Sequence, residues 1–297
     1  MVRILVVEDS PLDQALLRHL LDRPEWNVEI AEHGREALDS IAASQPDLVI
    51  TDLQMPVMGG LELVQEIRQT NSLLPVVLVA GKGSEETTIE ALRCGATTYS
   101  PKSMLNSDLV RTVEQVLMLS QRMCYSHSET FFPEPSTRVF VLGNQLGQIG
   151  PLIENLQNSL PSWSNRDRLQ IGMALDEALV NAMHHGNLEV ESVLKRVDEV
   201  DYYNLIEKRL AEEPYCSRRV NIEVEYSDEH ICIQVSDEGP GFDPAGIPDP
   251  TAPENLHQIS GRGIFLIRNF MDQVAHNRVG NQITMTKLRK GCMGVDL

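Results

Sequence analysis

DEALVNAMHHGN, residues Asp176 to Asn187, sets a carboxylate, a carboxamide and an imidazole at successive four-residue intervals. Read as a helix, it places Glu177, Asn181 and His185 on one side, because i, i+4 and i+8 neighbours stack above one another. Ile171, Leu175, Ala178, Leu179 and Ala182 fall on the other side. The expectation is an amphipathic helix whose polar stripe carries no Lys and no Arg. A stripe so short of solvating side chains lines a site more often than it meets bulk water.

The segments around this helix set its context. Upstream lie a strand pattern at Arg138 to Leu142 and a helical pattern near Gln148 to Leu160. Downstream, Leu188 to Ser217 is rich in Glu, Lys, Arg and Tyr and reads as a charged helical insertion ended by Pro214. Val220 to Tyr226 and Ile231 to Val235 alternate in strand fashion about Asp228 and Glu229, a hairpin pattern. SDEGPGFDP, a Pro-rich loop, SGRGIFLIRNFMD and a last hairpin around Gly280 and Asn281 complete this half. Helices followed by strands with an antiparallel bias predict an α/β sandwich.

The chemistry available there is specific. Asp237, just after a strand, can accept a hydrogen bond from the exocyclic amino group of adenine, and Gly239 and Gly241 let the backbone approach a flat ring. Gly261, Arg262 and Gly263 open a helical pattern whose free N–H groups and positive dipole end suit phosphates. Asp243 to Ser260, with four prolines, has the composition of a lid over a nucleotide.

The first hundred or so residues alternate short apolar strands with helical patterns. Ile4 to Val7, Leu48 to Thr51 and Val76 to Val79 read as strands buried on both faces, and Leu12 to Leu21, Arg35 to Ala43, Leu61 to Arg68, Thr87 to Cys94 and Asp108 to Gln121 as helices. That pattern predicts a doubly wound parallel α/β domain, whose functional groups gather beyond the carboxyl ends of its strands. Those ends carry Glu8 and Asp9, then Asp52, then Ala80 and Gly81, and Lys102 after Tyr99. Three carboxylates from separate segments repel one another unless a cation sits among them, and hard oxygen ligands suit Mg2+.

Length and composition agree with two domains. A chain of 297 residues, 42% hydrophobic and 23% charged, is long enough for two cores. A formal charge of −18 argues against a nucleic-acid partner, which needs clustered Lys and Arg. Cys94, Cys124, Cys216, Cys232 and Cys292 form no CxxC pair, which fits a reduced cytoplasmic protein. No segment approaches the roughly 18 apolar residues of a membrane span, so no membrane partner is expected. The expected division is 1–122, a linker over 123–137, and 138–297 with the charged insertion at 188–219. His127 in that linker has no helical hairpin around it and reads as a surface residue.

ILVVED, DLVITDLQMPVMGG, PVVLVA and GATTYSPK, in this order, resemble the receiver domains of two-component response regulators, with a flavodoxin-like five-stranded fold. The resemblance implies that Asp52 is a phosphoacceptor supplied by an upstream histidine kinase. It further implies that Glu8, Asp9, Asp52 and the Gln54 backbone carbonyl hold Mg2+, and that Lys102 contacts the phosphoryl group. Two positions depart from the pattern. Ala80 stands where the family usually has Thr or Ser, and Lys102 is followed by Ser103 rather than Pro. Ala80 has no hydroxyl to follow a phosphoryl oxygen, which weakens the usual coupling to the aromatic at Tyr99.

EALVNAMHHGN, DEGPGF and GRGIFLIRNFMD together resemble the Bergerat ATPase fold of the gyrase, Hsp90, histidine kinase and MutL superfamily, and its anti-sigma-factor serine kinases in particular. The resemblance implies ATP and Mg2+ as cofactors. Glu177 is then the general base, Asn181 a Mg2+ ligand, Asp237 the adenine reader, and His185, Gly239, Gly241, Gly261, Arg262 and Gly263 further ATP-binding positions. The function so implied is a response regulator that phosphorylates an anti-sigma-factor antagonist on serine. A sigma factor is a further candidate partner and a homodimer a candidate assembly. The alternatives are a non-catalytic ATP-gated anti-sigma module and an ATPase.

Overall fold

The aliphatic runs become strands in the computed structural model, which describes residues 1–70, 74–81, 85–125, 136–227, 229–244 and 262–289. The chain divides into two units, Met1–Tyr125 and Ser126–Leu297. Among the described residues of the first unit, β1 (Val2–Val7), β2 (Trp26–Ala31), β3 (Leu48–Asp52), β4 (Val76–Ala80) and β5 (Thr98–Pro101) form one parallel sheet in the order β2-β1-β3-β4-β5. β3 and β4 are buried along their whole length, as continuous apolar runs require when helices cover both faces. The helices are α1 (Pro11–Leu20), α2 (Gly34–Ala43), α3 (Gly60–Thr70), α4 (Glu85–Cys94) and α5 (Leu105–Tyr125). Ser10 caps α1, its side chain accepting from the Asp13 amide.

The strand order reverses at β1, which lies between β2 and β3. Val7 pairs with Thr51, so Glu8 and Asp9, just past β1, and Asp52, the last residue of β3, emerge next to one another. α5 continues to Tyr125, beyond the point where the sequence pattern weakens at Met123.

In the second unit, β6 (Ser136–Leu142), β7 (Val220–Tyr226), β8 (His230–Ser236), β9 (Gln273–His276) and β10 (Gln282–Leu288) form an antiparallel sheet among the described residues, in the order β6-β7-β8-β10-β9. β7 alternates buried and exposed positions strictly, so one face of the sheet meets the helices. These are α6 (Ile149–Asn158), α7 (Asn165–Val180) and α10 (Arg262–Phe270). Ser164 caps α7, its side chain accepting from the Asp167 amide at 3.1 Å.

Two expectations for this half need correction. α7 is not amphipathic in the simple sense, because Leu169 to Leu175 are buried without interruption. It packs against both α6 and α10, and leaves only a narrow polar strip around Asp176 and Glu177. Nor does α-helical geometry continue to Asn187. The segment Asn181–Asn187 is a π-helical turn, with Leu188 N–H donating to the Met183 carbonyl at 2.9 Å. The charged insertion folds as α8 (Ser192–Val197) and α9 (Glu199–Leu210), with its own small core of Leu188, Val190, Tyr202 and Ile206. Fully burying a side chain of this size is worth about 1.5–3 kcal/mol, so the insertion is anchored and not merely solvated.

His127, most of the expected linker, the greater part of the expected lid, Gly261 and the turn residue Asp228 lie outside the described residues. Among the described residues, no helix is long and apolar enough to cross a membrane.

Candidate functional sites

At the carboxyl edge of the parallel sheet, ligand oxygens of Glu8, Asp9 and Asp52 lie within 4.8 Å of one another. Glu8 and Asp52 are buried, at 1% and 8% exposure, while Asp9 faces solvent. Lys102 Nζ donates to Asp13 Oδ2 at 2.7 Å, Asp52 Oδ2 at 3.0 Å and Glu8 Oε2 at 3.1 Å. Asp13, from the first turn of α1, was not singled out in the sequence, because an acid in the first turn of a helix is commonplace.

Burial pushes the Glu8 carboxyl up, and the Asp52 charge adds to that, while the Ser10 amide and Lys102 pull it down. Burial also pulls the Lys102 ammonium down, but the surrounding carboxylates outweigh it and hold its pKa above the usual lysine range. The donor set is all hard oxygen and strongly negative even with Lys102 counted, which fits a Mg2+ ion. Asp52 is held ready: its Oδ1 accepts the Leu53 amide at 2.7 Å and its Oδ2 accepts Lys102. Gln54 is exposed in the loop that follows. Ala80 ends β4 at 5% exposure and Tyr99 is buried in β5, so a methyl group stands at that strand end.

The second unit contains a cavity of about 410 Å3, within the size range of small-molecule sites. Asn181, His185, Asp237 and Gly241 all line it. Its other walls include Phe242 and His276, with ring centroids 5.5 Å apart at 70°, and the apolar Val235, Ile264 and Ile283. Burial pulls the His276 imidazole down, and the Arg268 charge reinforces this. Phe242 closes the DEGPGF box but was given no role from the sequence, and His276 lies outside any recognisable box.

Asp237 is fixed from several sides. Its Oδ1 accepts the Gly239 amide at 2.8 Å, its own amide donates to the Asn281 carbonyl at 3.0 Å, and Asn281 Nδ2 donates to the Asp237 carbonyl at 3.3 Å. A side chain at Gly186 would overlap the Asp237 carboxylate, so the glycine of HHGN is required by a residue fifty positions away along the chain, roughly speaking. Gly239 packs directly on the Gly186 carbonyl, and Gly241 takes φ +75°, open to glycine at no steric cost. Burial pushes the Asp237 carboxyl up to about 6, although the Gly239 amide and the Arg218 charge act against it.

Glu177 does not line the cavity wall; it sits beside it, next to α10. A Cβ at Gly263 would lie 2.8 Å from Glu177 Oε2 and 3.4 Å from Asn181 Nδ2. The absence of a side chain at Gly263 therefore brings the start of α10 close to both residues. Arg262 is the first residue of α10, and Gly261 is outside the described residues. Of the positions chosen from sequence, the structure thus gathers Asn181, His185, Asp237 and Gly241 around one cavity, with Glu177, Gly239 and Gly263 at its margins.

Residues 4–114 match the family model for the response regulator receiver domain, and residues 144–287 that for the histidine kinase-like ATPase domain. The response regulator MprA of Mycolicibacterium vanbaalenii is 37% identical over 116 residues, covering 39% of this chain and 50% of that protein. MprA of Mycobacterium tuberculosis is 35% identical with the same coverage. The chain therefore spans about half the length of the curated relatives it matches. Among solved structures, the response regulator TrrA of Thermotoga maritima, in complex with Mg2+ and BeF, is 32% identical, with a TM-score of 0.36 over 39% of this chain and 98% of that one.

Proposed function

The chain is a response regulator receiver domain fused to a histidine kinase-like ATPase domain, and from that premise we propose that it is a phosphorylation-controlled serine protein kinase acting on an anti-sigma-factor antagonist. The observation that carries this reading is the cavity that brings Asn181, His185 and Asp237 together, with Glu177 against Gly263 at its margin.

ATP fits the cavity with Asp237 accepting from the exocyclic amino group and the Phe242–His276 wall facing the ring. Asn181 would hold a Mg2+ ion there, which would supply charge neutralisation to the phosphates. Glu177 takes the proton of the incoming serine hydroxyl while the new O–P bond forms and the bond from the γ-phosphorus to the bridging oxygen breaks, so that ADP leaves. In the receiver, Asp52 accepts a phosphoryl group from the phosphohistidine of an upstream kinase as the N–P bond breaks, and Lys102 meets the transferred oxygens. Incubation with labelled ATP and candidate antagonist proteins tests the reading. Label on a substrate serine supports it; tight ATP binding with no label on any protein replaces it with the ATP-gated binding module, and release of phosphate alone replaces it with an ATPase.

The position of Asp237 gives a pH dependence with a definite sign. A carboxyl raised to about 6 holds its proton more tightly in the folded chain than in the unfolded one. Its contribution to stability is therefore fullest below about 3.9 and is lost as pH rises through about 6. Adenine recognition runs the other way, because the ionised carboxylate is the better acceptor. Adenosine, which lacks titrating phosphates, is expected to bind best above pH 6 and to lose up to about tenfold in affinity per pH unit below it. Affinities measured by calorimetry from pH 5 to 8 check this, and a flat profile would remove Asp237 as the base-reading acceptor.

A further inference from the structure

The π-helical turn Asn181–Asn187 carries four cavity residues, among them the polar Asn181 and His185, and π geometry of this kind occurs in single turns that need outside support. That support comes from the inserted segment. The Tyr202 hydroxyl of α9 lies 2.9 Å from His184 Nδ1, in the buried middle of the turn. Val190 N–H donates to the His184 carbonyl at 2.8 Å, and the Val190 carbonyl lies 2.5 Å from His185 Nδ1. Arg218 donates to the Asn187 carbonyl and to Glu189 Oε1, both at 2.7 Å, and the Arg209 guanidinium donates to the Leu188 carbonyl. Ser192, the first residue of α8, is itself part of the cavity wall.

Asn187, fully buried at the end of the turn, extends the connection. Its Nδ2 donates to Asn144 Oδ1 at 2.8 Å, and its Oδ1 accepts the Glu238 amide at 2.8 Å, beside Asp237. The insertion, the π-helical turn and the Asp237 loop are therefore one hydrogen-bonded assembly. We infer that the inserted helices α8 and α9 are a positioning element of the nucleotide site, in which Tyr202, acting through His184, holds the turn that presents Asn181 and His185. The inference rests on the nucleotide reading of the cavity. Its consequence is that whatever displaces α9 loosens the metal-binding side of the site without touching the nucleotide.

Tyr202→Phe is the sharpest probe, because the ring stays in the apolar core with Leu188, Val190 and Ile206 while the hydroxyl is lost. Three measurements on the full chain decide the matter. Without nucleotide, amide hydrogen exchange over residues 183–190 is expected to speed up by about tenfold, with the melting temperature within about 2 °C of wild type. With ATP, the Mg2+ concentration required for half-maximal binding is expected to rise several-fold. His184→Gln is expected to behave likewise, and the double variant to be no worse than the worse single one, as for two residues acting on one element. Unchanged exchange and unchanged Mg2+ requirement in Tyr202→Phe would overturn the inference, as would additive losses in the double variant. If wild type binds no ATP, the nucleotide reading fails instead, and the exchange measurement still decides whether Tyr202 holds the turn.

Discussion

Glu177→Gln is expected to lower the rate of phosphoryl transfer to a serine substrate by about 10²–10⁴-fold, the usual contribution of a positioned general base, while Mg-ATP affinity stays close to wild type. The amide keeps the size and shape of the carboxylate but cannot take the hydroxyl proton. Glu177 lies near the end of α7, next to Asn181 and against the first turn of α10, where the glycine at 263 leaves room for its carboxylate. It stands outside the cavity wall proper, so its loss should not disturb base recognition by Asp237. Single-turnover transfer from labelled ATP, run alongside calorimetric titration with Mg-ATP, separates the two effects. Equal loss of binding and transfer would make Glu177 a binding residue, and an unchanged rate would place the base elsewhere.

Asp52→Asn is expected to abolish phosphoryl uptake by the receiver, because the carboxamide lacks the nucleophilic carboxylate oxygen that Asp52 presents at the end of β3 beside Lys102. Asp13 also meets Lys102, at 2.7 Å, but it projects from α1 and is half-buried with solvent at hand. Mass measurement after treatment with acetyl phosphate and Mg2+ reads the outcome, and a phosphoryl group still attached to an aspartate in the variant would move the acceptor. Removing Lys102 has a different expected cost, since it leaves Glu8, Asp13 and Asp52 facing one another without their shared cation. Ala80 is expected to limit what phosphorylation of Asp52 transmits through Tyr99, because the buried methyl group at the end of β4 cannot follow a phosphoryl oxygen by hydrogen bonding. Equal transfer rates for Asp52→Asn and for the phosphorylated wild type would show that the receiver does not govern the second domain.

Much of this arrangement was legible because buried parallel strands and phosphate chemistry leave strong local signatures. Ile4 to Val7, Leu48 to Thr51 and Val76 to Val79 announce strands covered on both faces, and the acids that follow them had to meet at the sheet edge once the order β2-β1-β3 was in place. β2 was less visible. Trp26–Ala31 pairs on one side only, is partly exposed, and interleaves Asn27 and Glu29 with its apolar residues. The box spacing in DEALVNAMHHGN likewise pointed to one cavity, but the π-helical turn within it has no periodic signal. It depends on tertiary partners such as Tyr202 and Arg218, which come from a segment whose composition resembles a solvated surface. Gly186 and Gly263 show the same limit: each glycine is explained by a carboxylate, Asp237 or Glu177, that only the fold brings near.

The most direct test of the central reading is calorimetric titration of the full chain with ATP, with and without Mg2+, for wild type and for Asp237→Ala. Saturable one-site binding that strengthens with Mg2+ and disappears in Asp237→Ala is the result this account predicts. No binding by wild type, or binding that survives the loss of Asp237 undiminished, would contradict it.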